Sequence, residues 1–138
     1  MLNERIRSIL DSDLIGFLTA VNESGQPQAA PVWFVRDGDD IIVYNKSDTP
    51  RFAAIAANPK VSFTLRGDPK ARGALTLEAT AAKSEGLPPA KDYPEYMEKY
   101  GGEIGELGWT PDTFSADYDT PLRIVVTRVR SWGLETLE

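Results

Sequence analysis

The chain has 138 residues, 41% of them hydrophobic and 26% charged, which is the make-up of one soluble globular domain large enough for a core. Its net charge of −6 excludes a general nucleic-acid surface and an anionic membrane as partner, because both need a basic face. It has no cysteine and no histidine. That excludes disulfides, thiolate chemistry, a Ser-His-Asp triad and zinc sites built on imidazole or thiolate, so an enzyme made from this chain would rely on a bound cofactor. No metal site is expected.

The first thirteen residues carry Glu4, Arg5, Arg7, Asp11 and Asp13 and do not read as a leader peptide. No stretch approaches the roughly 20 apolar residues of a membrane helix, and a cytoplasmic location is expected. One domain over residues 1–138 is expected, with no repeat, linker or low-complexity segment.

Leu2, Ile6, Ile9 and Leu10 recur at helical spacing and predict a short amphipathic helix over residues 3–10. A strand follows over 15–21, then the turn Asn22-Glu23-Ser24-Gly25. A second strand runs over 28–36 and ends at the hairpin signal Asp37-Gly38-Asp39, with a third strand over 41–45. Thr49-Pro50 reads as an N-cap with proline at the first helical position, and Phe52, Ile55 and Ala56 give the helix its apolar stripe. Asn58-Pro59 ends it. Strands are predicted over 61–65 and 74–83, joined by a polar turn. A helix over 88–100 carries Tyr93, Tyr96, Met97 and Tyr100 on one side and stops at Gly101-Gly102. Thr110-Pro111 repeats the cap-plus-proline signal before a helical turn that reaches Tyr118. A last strand covers 122–129, prolonged toward Trp132. The Gly- and Pro-rich stretch 86–111 is expected to be a mobile or partner-contacting excursion. Six strands with few, short helices predict a mainly β fold: a small antiparallel barrel with peripheral helices.

Two stretches suggest a ligand. Around the helix start at Pro50, Lys46 and Arg51 supply charge, and Ser47 and Thr49 supply hydroxyls, so a phosphate is suited there. By itself the pattern reads as a strand end, a capped helix and two solvated cations. In Ala29-Ala30-Pro31-Val32-Trp33-Phe34, proline marks an edge or a bulge, small residues let a flat ring approach the backbone, and Trp33 offers an aromatic wall. The other reading is a packing face. Arg123, Arg128, Arg130 and Trp132 either complete a pocket or present outward charge on an edge strand. The tyrosine stripe reads as a packing face, and Asp112, Asp117 and Asp119 as solvated loop carboxylates.

In combination, GQPQAAPVWF, DGDDIIVY, the short helix, NPKVSFTL and the final PLRIVVTRVRSW resemble the pyridoxamine 5′-phosphate oxidase-like split β-barrel superfamily. Within it the chain resembles most the actinobacterial-type flavin/deazaflavin oxidoreductases that use coenzyme F420. The resemblance is strongest over residues 17–65 and the last strand, and weak over 86–118. It implies a six-stranded antiparallel split barrel of the FMN-binding type, and a homodimer with cofactor sites at the interface. It also implies a cofactor site in which Ala30, Pro31, Val32 and Trp33 line the ring while Tyr44, Asn45, Lys46, Ser47 and Arg51 hold the phosphate end. Arg51 stands where relatives often carry lysine, which keeps the charge and gains a bidentate fork. The vitamin B6 oxidase branch has an arginine-rich second strand, whereas here that strand is uncharged around Pro31, which points away from pyridoxamine phosphate and, less strongly, from FMN. The activity implied is hydride transfer from reduced F420 to a small electron-poor organic acceptor. The alternatives are an FMN-binding oxidoreductase on the same fold, or a non-catalytic flavin or tetrapyrrole binder. No catalytic side chain is implied.

Overall fold

The computed structural model describes residues 2–137. The order of elements is α1 (Glu4–Ser12), β1 (Gly16–Val21), β2 (Pro27–Val32), β3 (Val35–Asp37), β4 (Asp40–Asn45), α2 (Arg51–Ala57), β5 (Lys60–Leu65), β6 (Ala74–Lys83), α3 (Pro94–Glu106), α4 (Pro111–Asp117) and β7 (Thr120–Trp132). Single 3-10 turns at Ala90–Asp92 and Leu134–Thr136 complete it. The strands form one antiparallel sheet in the order β2-β1-β5-β6-β7-β4-β3.

The sheet has seven strands where six were expected. The stretch predicted as one strand over 28–36 breaks at Trp33-Phe34 into β2 and β3. The sheet order gives the reason. β2 is one outer strand and β3 is the other, yet only two residues join them. A seven-stranded sheet can meet that demand only by curling until its edges approach, which makes it a barrel. Pro31 lies on the edge strand β2, where its missing N–H disrupts no ladder.

Alternation along the strands fills the barrel. Leu18, Ala20, Phe63, Leu65, Leu75, Leu77, Ala79, Ala81, Leu122 and Ile124 point inward and are buried. α1 closes one side with Ile6, Ile9 and Leu10, and its N-cap is Asn3, read from sequence as the first helical residue, whose Oδ1 accepts from the Ile6 N–H at 2.8 Å.

The helical elements differ from expectation in three places. α2 begins at Arg51, and Pro50, already in helical geometry, stands at the N-cap without any side-chain cap; Thr49 lies one residue outside. The helix expected over 88–100 begins at Pro94, with proline in the first turn where it costs no hydrogen bond. It also runs through Gly101-Gly102 to Glu106, because the buried Tyr96, Tyr100 and Ile104 hold its inner face. It stops where Gly108 N–H bonds Gly105 C=O at 3.0 Å and Trp109 N–H bonds Ile104 C=O at 3.0 Å, with Gly108 at φ +86°. α4 has the cap foreseen for it: the Thr110 and Thr113 side chains each bond the other residue's backbone N–H.

The stretch 86–111, expected as an excursion, instead packs on the outer face of β3 and β4. There Val35, Ile42, Tyr44, Ala90, Tyr93, Tyr96, Tyr100, Ile104 and Phe114 make a second buried cluster, distinct from the barrel interior. Lys99 fastens α3 to α1. Its Nζ donates to the Leu10 carbonyl at 2.9 Å and lies 3.7 Å from the centre of the Phe34 ring.

Two outcomes follow from this packing. A methyl at Gly16 would stand 2.1 Å from Cζ of Phe63, a fully buried ring that meets Phe34 edge-on at 4.9 Å. Gly16→Ala is expected to cost about 1–3 kcal/mol in urea unfolding; an unchanged midpoint would show that the ring has room to move. Burial holds the Lys99 pKa down to about 8 from 10.5, with the Asp11 and Asp13 charges opposing the shift. Between those values the unfolded chain binds the proton that the folded chain has released. Stability therefore rises with pH across about pH 8 to 10.5. Thermal midpoints of Lys99→Met measured over that window should lack this rise.

Candidate functional site

A cleft of about 400 Å³ opens between the outer face of β2–β4 and the helices α3 and α4. Pro31, Val32 and Trp33 line one side, from the end of β2. Tyr44 and Asn45 from the end of β4, then Lys46, Thr49 and Arg51, line the next. Tyr96, Leu107, Trp109, Phe114 and Tyr118 from the helical segment form the far wall.

Seven of the nine residues singled out from sequence meet here: Pro31, Val32, Trp33, Tyr44, Asn45, Lys46 and Arg51. Ala30 and Ser47 do not line the cleft. Ala30 pairs with Leu18 inside the β1–β2 ladder, and Ser47 sits exposed in the turn closed by the Thr49 N–H to Lys46 C=O bond of 3.1 Å. The structure adds Tyr96, Leu107, Trp109, Phe114 and Tyr118, which the sequence reading treated as packing or left unassigned. Their only signal was the density of aromatic residues between Tyr93 and Tyr118.

The charged end is fixed from below. Asn45 is 4% exposed, and its amide nitrogen donates to the carbonyls of Val43 at 2.9 Å and Thr120 at 3.2 Å. That orientation turns its oxygen outward to accept from Arg51 at 2.9 Å. Arg51 is half-buried, and desolvation lowers its pKa. Among the described residues no carboxylate forms an ion pair with Arg51 or with Lys46. A half-buried guanidinium held only by an amide oxygen is under-compensated, so an anion at this end of the cleft would be favoured. Lys46 Nζ stands 5.6 Å from the centre of the Tyr118 ring.

The flat end is aromatic. The Trp33 indole stacks on Tyr100 at 4.6 Å with 8° between planes, and meets Phe114 at 5.6 Å. Phe114 stacks on Tyr118 at 4.7 Å, and Trp109 crosses Phe114 edge-on at 6.0 Å. The Tyr44 hydroxyl donates to the Pro88 carbonyl, and burial raises its pKa to about 12. Burial pushes Tyr96 and Tyr100 further up. Among the described residues, no histidine, cysteine or carboxylate lines the cleft.

Tyr100 sets the position of the Trp33 wall. Its hydroxyl accepts from the Phe34 N–H at 2.9 Å and directs its proton to the Leu14 carbonyl at 2.7 Å, with the Phe34 carbonyl at 3.0 Å. Phe34, the second of the two residues that cross from β2 to β3, thus takes its backbone bonds from a side chain.

The other sequence candidates lie elsewhere. Arg123 pairs with Asp37 at 3.0 Å and Asp40 at 2.9 Å. Arg128, Arg130 and Trp132 are exposed on the far end of β7. Asp112 pairs with Lys91 at 3.0 Å. No group of three or more carboxylates suited to a metal occurs among the described residues. No helix among them is long and apolar enough to cross a membrane.

Comparison with known proteins matches residues 2–134 to the family model described as Pyridoxamine 5′-phosphate oxidase. No curated protein matches the chain. Among solved structures, the protein Rv2991 from Mycobacterium tuberculosis superposes with a TM-score of 0.77 at 24% identity, over 99% of this chain and 88% of that one. A structure described as an F420 reductase superposes with a TM-score of 0.71 at 23% identity, over 94% and 98%. The heme storage protein HutZ from Vibrio cholerae gives 0.65 at 20%, over 95% and 93%. At these identities the likeness shows the fold.

Tyr100→Phe keeps the ring and removes the hydroxyl that three backbone groups share. It is expected to cost about 1–3 kcal/mol in denaturant unfolding and to alter the near-ultraviolet circular dichroism of the Trp33 stack. A spectrum identical to the parent would show that Trp33 is placed without it.

Proposed function

The chain belongs to the pyridoxamine 5′-phosphate oxidase family, and from that premise we propose that its cleft holds a flavin-type cofactor, with coenzyme F420 preferred over FMN. The observation that carries this reading is the pairing of an aromatic wall with two cations that have no carboxylate partner among the described residues. A flat ring with a phosphorylated arm has that division. Trp33 and Phe114 together would form one aromatic wall beside the ring, and the exposed edge of β2 would approach it through backbone. Arg51, steadied by Asn45, and Lys46 would hold the phosphate. The neighbour described as an F420 reductase supports the deazaflavin choice, and the lack of charge around Pro31 supports it further.

The proposed reaction is reduction of a small electron-poor acceptor, and the bound cofactor would supply the hydride. The chain orients, excludes water and balances charge. With no histidine or cysteine in the chain, solvent would supply the proton. The second reading is a non-catalytic binder, favoured by the likeness to a heme storage protein. Against it, the chain offers a heme iron neither of its usual histidine or cysteine ligands. We also propose a homodimer that completes the site. The large apolar side chains exposed on β7, Val125 at 42% and Trp132 at 56%, suit a covered face, and sedimentation should give twice the chain mass.

Fluorescence titration with F420 and with FMN tests the cofactor directly, and an intact fold that binds neither would end this reading. Arg51→Ala should lose about tenfold or more in cofactor affinity while the thermal midpoint stays close to the parent's. A variant that unfolds early yet binds as before would make Arg51 structural.

A further inference from the structure

The second half of α3 carries more glycine than its packing requires. Gly101, Gly102 and Gly105 all lie inside the helix. A methyl at Gly102 or Gly105 would meet nothing within 4 Å, and one at Gly101 would make an ordinary 3.7 Å contact with Met97. None of the three has a positive φ; only Gly108, at the helix stop, needs one. Glycine is the least helix-favouring residue after proline, so three such positions weaken this stretch without a steric reason.

The weak stretch covers the cleft. Leu107 and Trp109, which follow it, line the opening, and Leu107 is 65% exposed while doing so, which puts it at the mouth. The first half of α3 is anchored by the buried Tyr96 and Tyr100. From residue 101 to 109, Ile104 is the one buried side chain. Few buried contacts and costly helical residues are the marks of a segment that opens locally below the global unfolding free energy.

We propose that residues 101–109 are a gate: the last turns of α3 unwind about the Tyr100 anchor, swing Leu107 and Trp109 off the mouth to admit a ligand, and re-form over it. This inference rests on the cleft being the cofactor site.

The double variant Gly102→Ala, Gly105→Ala tests it, since both methyls point into open space and neither residue touches the cleft. The thermal midpoint should rise by about 4 °C or more. Stopped-flow fluorescence with F420 and FMN should show association and dissociation slowed several-fold together, because both pass through the open state. In the ligand-free protein, amides of 101–109 should exchange at least tenfold faster than those of 96–100 after correction for intrinsic rates, and the substitutions should slow them. A higher midpoint with unchanged ligand rates would overturn the gate, as would a lower midpoint, which would mean the glycines serve packing. If the parent chain binds neither cofactor, the cofactor reading fails first. Hydrogen exchange then decides the gate by itself: uniform protection along α3 would refute local opening.

Discussion

Two residues carry the backbone from one edge of the sheet to the other. Val32 ends the outer strand β2, Val35 begins the opposite outer strand β3, and Trp33-Phe34 is all the chain between them. The sheet must curl for this to be possible, and the barrel, its core and its outer face follow from that closure. At the crossing the backbone has no ladder partner, and a buried polar group left unpaired is costly. The Tyr100 hydroxyl answers both ends of Phe34 and reaches Leu14 as well. Closure of the sheet and seating of α3 are therefore one interaction seen from two sides.

The same contact builds the cleft. With Phe34 turned into the barrel against Phe63, Trp33 is turned outward, where Tyr100 stacks flat against it. The barrel interior and the outer aromatic cluster thus begin at adjacent residues. At the other end of the cleft, Asn45 spends its amide protons on two carbonyls and has only its oxygen left for Arg51. Among the described residues, neither end is lined by a histidine, cysteine or carboxylate, which suits a site that positions a reactive molecule instead of attacking it.

Much of the fold was legible in the sequence because β alternation and turn chemistry are local. The 74–83 strand was read with its observed bounds, and the Asp37-Gly38-Asp39 hairpin and the Thr110-Pro111 cap both formed as read. The errors share a cause. Gly101-Gly102 reads as a helix stop because glycine is a poor helix former. It failed to stop α3 because Tyr100 and Ile104, on either side, are buried on one face, and packing outweighs propensity. Residues 28–36 read as one strand because no local signal tells Trp33 that its neighbours belong to opposite edges. Ala30 and Ser47 missed the cleft because each lies one step past its rim: Ala30 further back along the β1–β2 ladder, and Ser47 in the exposed turn after β4, and a motif carries no signal of where the rim falls.

Composition and short-range pattern determined the chemistry this protein can offer: no histidine or cysteine, a proline-marked edge strand, and two cations near a helix start. Those are properties of residue type and spacing, and no folding changes them. The tertiary structure alone decided that the cations face aromatic rings fifty to seventy residues further along the chain, and that the tyrosine stripe closes the sheet and lines the cleft at once. Contacts at that separation depend on which surfaces the curled sheet leaves to be covered, and the periodicity of a single segment carries no record of them.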